Sequence, residues 1–140
     1  MSDTDIVNKS MITLGDRKLA SSTSTNISEL SSVGGFIAAC LVDGESGLML
    51  AQETSGTKFD IEAAGAANTE VVRAKNEAMQ ALGLDDSIED ILISLGTQLH
   101  LIRPLASNPM VFVYLALDRK KANLGLARLA LKNMEGTLKV

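Results

Sequence analysis

Tryptophan is absent, and aromatic residues make up only 3% of this 140-residue chain. So sparse a set weakens any reading that needs aromatic stacking on bases or sugars. Cysteine and histidine occur once each, as Cys40 and His100. A lone cysteine forms no internal disulfide, so the expected setting is a reducing cytoplasm. One cysteine and one histidine also fall short of a zinc or transition-metal site within a chain, and neither metal nor cofactor is expected. Basic charge is scarce: the net charge is −4, and the single dense basic cluster is Arg119, Lys120 and Lys121. The electrostatic footprint of a nucleic-acid binder is therefore missing. No apolar run reaches the roughly 18 residues that a membrane-spanning helix needs, and the polar N-terminus lacks the apolar segment of a secretory signal. Glycine-rich phosphate loops are missing too. Gly34 and Gly35 precede a strand instead of opening a helix after one.

What is present suits a folded domain. Hydrophobic residues make up 46% and charged residues 21%, enough for one domain with an ordinary core. Residues 59–83 dominate the pattern. They are alanine-rich, with Asp60 placed as an N-cap and Gly83 where a left-handed residue ends a helix. Around this helix Ala63, Ala64, Ala67, Val71, Ala74, Ala78, Ala81 and Leu82 form one arc. Ile61, Gly65, Val72 and Met79 extend it to one side, with Asn68 and Lys75 among them. The combined arc spans about 180°, against roughly 100° for an ordinary surface helix. Such a helix needs two neighbours. The expectation is that the alanine arc lies on the chain's own sheet, while Ile61, Asn68, Val72, Lys75 and Met79 face a second copy.

Residues 1–26 read as a flexible Ser/Thr-rich extension, disordered or loosely docked, with a polar run at 21–25; upstream, Ile6, Val7, Met11, Ile12 and Leu14 would suit a short helix or a docking strand. The folded domain is expected over residues 27–140. It starts with a short helix near 26–32, capped by Asn26 or Ser28. Residues 36–42 are apolar on both faces, as in a central strand. The Asp43–Gly44–Glu45–Ser46–Gly47 turn then leads to a second strand over 48–53, making a hairpin. After the long helix come strands at 88–95, 99–105 and 110–117 and a final helix over 120–135. The resulting class is α+β, in the order αββαβββα. Burial of the first and fifth strands on both faces predicts a five-stranded antiparallel sheet in order 2-1-5-4-3. Helices must then cover both faces of the sheet. The third strand is then a free, largely apolar edge of about eight residues, a pairing hazard that a two-fold copy removes. Ile91 and Ile93 belong to that edge.

Catalytic chemistry is hard to assemble from these residues. Cys40 sits inside an apolar strand and reads as core. His100, flanked by leucines, reads as part-buried or surface. Asp85, Asp86, Glu89 and Asp90 lack the spacing and glycine of a calcium loop. Arg103 and Arg128 read as salt-bridge partners.

Two motifs carry a family resemblance. The run Leu117–Asp118–Arg119–Lys120–Lys121–Ala122–Asn123–Leu124–Gly125–Leu126–Ala127–Arg128 resembles the closing signature of Roadblock (dynein light chain) domains. The segment from Gly35 through Asp43–Gly44 to Leu48 resembles the family's opening hairpin, and the small residues at 62–67 are similar to the start of its middle helix. The resemblance covers about residues 27–138. It implies that the long middle helix lies on one face of the sheet and the first and last helices on the other, and that the chain forms homodimers, or heterodimers with a paralogous Roadblock chain, joined through the third strands and middle helices. It also implies a non-enzymatic platform that binds a small Ras-like GTPase, as bacterial polarity regulators of this family do when they stimulate GTP hydrolysis. On this reading Ile61, Asn68, Val72, Lys75, Met79, Ile91 and Ile93 form the dimer interface, and Glu70, Arg73 and Glu77 meet the partner. The alternative is a ligand-sensing or interaction module without a GTPase, which would need a pocket lined by Cys40, Phe112 and Tyr114.

Overall fold

The two segments that are apolar at nearly every position become the middle of the sheet. In the computed structural model, which describes residues 24–56 and 58–140, they form β1 (Phe36–Asp43) and β5 (Val111–Asp118), paired antiparallel. The hairpin partner β2 (Leu48–Thr54) flanks β1, and β4 (Gln98–Pro104) flanks β5. β3 (Ile91–Ser94) pairs with β4 alone. The sheet runs β2-β1-β5-β4-β3 with every pairing antiparallel, the order expected from burial.

Alternation along β1 and β5 divides the core into two layers. Ala39, Leu41, Val113, Leu115 and Leu117 point to one face, where they meet Ile27 and Leu30 of the N-terminal segment and Ala127, Leu131 and Met134 of helix α2 (Leu124–Glu135). Ala38, Cys40, Val42, Phe112 and Tyr114 point to the other face, beneath helix α1 (Ile61–Ala81). Both ends of α1 are closed as its sequence suggests. The Asp60 carboxylate accepts from Ala63 N at 3.0 Å. At the far end Gly83 takes φ +69°. This lets Leu84 N reach Met79 O at 2.9 Å and Gly83 N reach Gln80 O at 3.0 Å, which satisfies two carbonyls of the last turn.

Three elements are shorter than expected. The first helix is a 3-10 helix over Ser28–Ser32, with Asn26 Oδ1 accepting from Ser28 N at 2.9 Å just before it. The last helix begins at Leu124 and not at 120, because Asp118 holds the preceding residues in a turn: its carboxylate accepts from Lys120 N at 3.0 Å and its carbonyl from Ala122 N at 3.0 Å. Asn123 then caps the helix through Leu126 N at 3.0 Å. The third strand covers Ile91–Ser94 where eight residues were expected. Pro104 has no N–H to extend the ladder, and Asp90 turns away to Arg128, held at 2.9 and 3.1 Å. Among the described residues no helix is long and apolar enough to cross a membrane. The expected flexible extension lies outside the described residues up to Thr23, including Ile6, Val7, Met11, Ile12 and Leu14. The described chain enters at Ser24, which pairs with Lys139 through two hydrogen bonds of 2.9 Å.

Arg103 and Arg128 both engage carboxylates. The Arg103–Glu135 pair, 2.8 Å apart and about one-eighth exposed on each side, ties the end of β4 to the end of α2. Glu135 also accepts from the Ala106 backbone N–H. Burial acts to raise the Glu135 carboxyl, but the Ala106 N–H and Arg103 outweigh it and hold the group below its ordinary value. A carboxyl lowered in the folded state stabilises the fold above its unfolded pKa of about 4.3, and that contribution is lost as pH falls through the folded value. Glu135→Gln should therefore be less stable than the parent at pH 7, with the gap closing below about pH 4. Urea unfolding across that range checks it; a gap that is constant with pH would show that Glu135 contributes through packing alone.

Candidate functional site

Helix α1 meets the sheet with its large side chains. Ile61, Gly65, Asn68, Thr69, Val72 and Met79 are buried within the protomer, with Ile61 and Val72 in the core layer of the sheet. This corrects the expected division of the helix. Ile61, Asn68, Val72 and Met79, expected at a dyad, are buried in their own protomer, and the alanine arc is the side left open. Ala63, Ala67, Ala74, Ala78 and Ala81 are exposed, as is Lys75.

Three physical reasons favour the observed side. Burying isoleucine, valine and methionine removes far more apolar area from water than burying alanine does. Gly65 lets the helix approach closely: a Cβ there would stand 3.3 Å from Val42 Cγ2 and 3.6 Å from Cys40 Sγ. The two buried polar side chains bond to carbonyls one turn back, Asn68 Nδ2 to Ala64 O at 2.8 Å and Thr69 Oγ1 to Gly65 O at 2.9 Å. Each therefore enters the core with a donor bonded to its own helix, which lowers the cost of burying it.

α1 packs mainly over β1 and β2. The same sheet face at β3 and β4 is thus only partly covered, and Ile91, Ile93 and His100 are half-buried there. Ala64 and Val71, at the flank of the alanine arc, pack onto the same core layer as Ile91 and Ile93. Beside these residues runs the outer backbone edge of β3, which has no partner strand within the described chain. The surface thus joins a small-residue helix side, a part-covered apolar sheet face and a strand edge.

The expected partner-contact residues lie elsewhere on α1. Glu70 and Arg73 form an exposed pair at 2.6 Å, and Arg73 also donates to Gly44 O at 3.1 Å. With both ends engaged, Arg73 is a bracket between α1 and the β1–β2 turn more than a free catalytic arginine. Arg73 and the exposed Glu77 border a cavity of about 390 Å³ whose apolar lining includes Val72, Met79, Leu84 and Met110. Sequence reasoning did not find this cavity, because its walls come from α1, the loop after it and the loops at Gly44 and Met110.

Cys40, Phe112 and Tyr114 are 0–1% exposed and fill the layer beneath α1. Burial pushes the Cys40 thiol up to about 12, so it stays protonated and is a poor nucleophile. Tyr114 is pushed up to about 12, by burial first and then by Cys40, against a hydrogen bond from Asn68. Its hydroxyl lies 3.2 Å from His100 Nδ1, while His100 Nε2 lies 2.8 Å from Gln98 Oε1. Burial lowers the His100 pKa, which favours the neutral ring. Phe59 closes the cluster, stacked on Tyr114 and edge-on to His100 with ring centroids 6.4 Å away in each case. These contacts make a packed polar-aromatic core. Asp90, one of the four clustered acids, is engaged by Arg128.

No family model matches the sequence, and no curated protein matches it. Solved structures do match. MglB from Myxococcus xanthus superposes with a TM-score of 0.67 at 16% identity, over 78% of this chain and 85% of that one. A Roadblock/LC7 domain from Streptomyces avermitilis gives a TM-score of 0.67 at 14% identity, over 79% and 88%. The gliding protein MglB from Thermus thermophilus gives 0.67 at 16% identity, over 80% and 82%. At such identities the shared property is the fold, and by strand order, layer arrangement and superposition this chain has the Roadblock fold.

Proposed function

We propose that this protein is a non-enzymatic, dimeric Roadblock platform that binds a small Ras-like GTPase in the cytoplasm and regulates or scaffolds it. The observation that carries the reading is the joint surface of α1 and β3: alanines at 63, 67, 74 and 78 stand exposed beside half-buried Ile91 and Ile93 and an unpaired strand edge. A two-fold copy, or a paralogous Roadblock chain, covers all three features at once. Two α1 helices then lie side by side over one continuous sheet. Small side chains permit that close approach, and the exposed Lys75 sits near the seam. Ile61, Asn68, Val72 and Met79 support this surface from inside the protomer. Glu70, Arg73 and Glu77 remain accessible on the same helix for the GTPase. Since Arg73 is engaged at both ends, stimulation of hydrolysis would act by repositioning the GTPase's own groups.

The dimer is tested with Ala74→Glu. The side chain is exposed in the protomer, so the protomer's helix content should not change. A carboxylate on each side of an apolar seam should weaken association about 100-fold. Light scattering at tens of micromolar protein should report a dimer for the parent and a monomer for the variant. A parent that is monomeric there, or a variant that still dimerises, overturns the interface. The GTPase reading is tested by pull-down of a small Ras-like GTPase loaded with GDP or a GTP analogue. Failure to bind in either state, with the dimer intact, overturns it.

A further inference from the structure

Two cavities adjoin beside the C-terminal half of α1. The first, of about 390 Å³, is the one bordered by Arg73 and Glu77. The second, of about 580 Å³, reaches across to Ile88, Leu105 and Glu135. Asn76, Asp86 and Pro109 stand in the walls of both, so the two form one groove. Its apolar surface is open to water: Leu84 is 53% exposed and Met110 49%, beside buried Val72 and Met79. Covering such side chains is worth about 25 cal/mol per Å² of apolar surface, and methionine adapts its shape to what it meets.

The charge of the groove is one-sided. Both arginines in its walls are already paired, Arg73 with Glu70 at 2.6 Å and Arg103 with Glu135 at 2.8 Å. Glu77 and Asp86 form no ion pair among the described residues, and the side-chain amides of Asn76 and Gln80 form no hydrogen bond there. At about 100° per residue, Arg73, Asn76 and Gln80 lie on one flank of α1 and Ala67, Ala74 and Ala78 on the other. A copy seated on the alanines leaves the groove open. We propose that it binds a basic peptide segment of another protein, with a large apolar side chain seated by Leu84 and Met110 and lysine or arginine side chains reaching Glu77 and Asp86. A peptide suits the groove better than a small organic cation. One cavity continues into the next, as several side chains of an extended chain require, and the Asn76 and Gln80 amides can both donate to and accept from a backbone. The site lies within one protomer, so it depends on neither the GTPase nor the dimer.

Fluorescence anisotropy on the full chain, with no GTPase present, tests the groove. The probe is a labelled peptide of about nine residues, roughly 30 Å when extended, with a central Leu-Phe pair and lysine or arginine on both sides. The parent should bind it with a Kd on the order of 10 µM at about 50 mM salt. Binding should weaken several-fold at about 0.5 M salt, as screening sets in. Glu77→Lys/Asp86→Lys should weaken it at least about tenfold, and so should Leu84→Ser/Met110→Ser. All four side chains are exposed, so the melting temperature of each double variant should stay within about 3 °C of the parent. No binding by the parent would overturn the proposal, as would unchanged binding in either double variant. Equal binding of a peptide whose central pair is Gly-Ser would reduce the contact to surface charge and overturn the groove. Displacement of the peptide by benzylamine at comparable concentration would assign the cavity to a small organic cation and overturn it too.

Discussion

Replacing Gly35 by alanine should cost about 3 kcal/mol of stability, because left-handed backbone strain adds to a backbone collision. Gly35 sits at φ +80°, and a Cβ built on it would stand 2.8 Å from Asp118 O and 3.2 Å from Ala122 N. Neither atom belongs to a side chain that can swing aside. The contact joins the start of β1 to the turn that launches α2, where Asp118 N also donates to Gly35 O at 2.7 Å. Shifting either strand would disturb the β1–β5 ladder at the centre of the sheet. Gly47 provides the control. It has nearly the same φ, +78°, with nothing within 4 Å of its Cβ position. Gly47→Ala should therefore cost only the conformational strain, about 1 kcal/mol. Thermal unfolding should separate the two variants clearly, with the Gly35 variant melting roughly 10 °C below the parent. Equal losses at the two sites would mean that the close approach of β1 and the α2 turn is wrong.

The second large effect is expected at Phe112. Its ring is fully buried beneath α1, in register between Val42 of β1 and Pro104 of β4. Phe112→Ala removes most of a large side chain from a layer whose other members are held by the sheet, so the space cannot close. The expected loss is about 4 kcal/mol, a large share of the roughly 5–15 kcal/mol available to a domain. At an m-value of about 2 kcal/mol/M the urea midpoint should fall by about 2 M. Phe112→Leu, which keeps much of the volume, should recover a good part of it. A midpoint change under about 0.5 M for the alanine variant would mean that the layer is loosely packed, and would revive a ligand pocket at Cys40, Phe112 and Tyr114. As the side chains stand, that layer is filled.

Much of this architecture was legible in the sequence because hydrophobic patterning is a local signal with global consequences. Two strands apolar on both faces, at 36–42 and 110–117, can only lie centrally. Joining the others to them by hairpins leaves one economical order, and it is the one observed. The ends of the long helix followed from local chemistry: Asp60 and Gly83 act where expected, whereas the Asn123 cap of the last helix, three residues past its expected start, emerged only in the structure. Strand length was less legible. The shortening of β3 depends on Arg128 drawing off Asp90 across 38 positions of sequence, and on Pro104 in the neighbouring strand. No local pattern around residues 88–90 encodes either.

The candidate site divides along the same line. The sequence by itself determined that α1 has two apolar sides, and that a free edge strand carrying Ile91 and Ile93 lies in the same domain. Both follow from the periodicity of residue types along one element. Only the tertiary structure decided which side of α1 meets the protomer's own sheet, and it reversed the expected assignment. An apolar arc in sequence has width but no partner. The choice depends on side-chain volume against the facing strand, on the approach that Gly65 permits over Val42 and Cys40, and on whether Asn68 and Thr69 can bond inward to Ala64 and Gly65. Those quantities belong to pairs of surfaces, and they exist only once the helix is laid on its sheet.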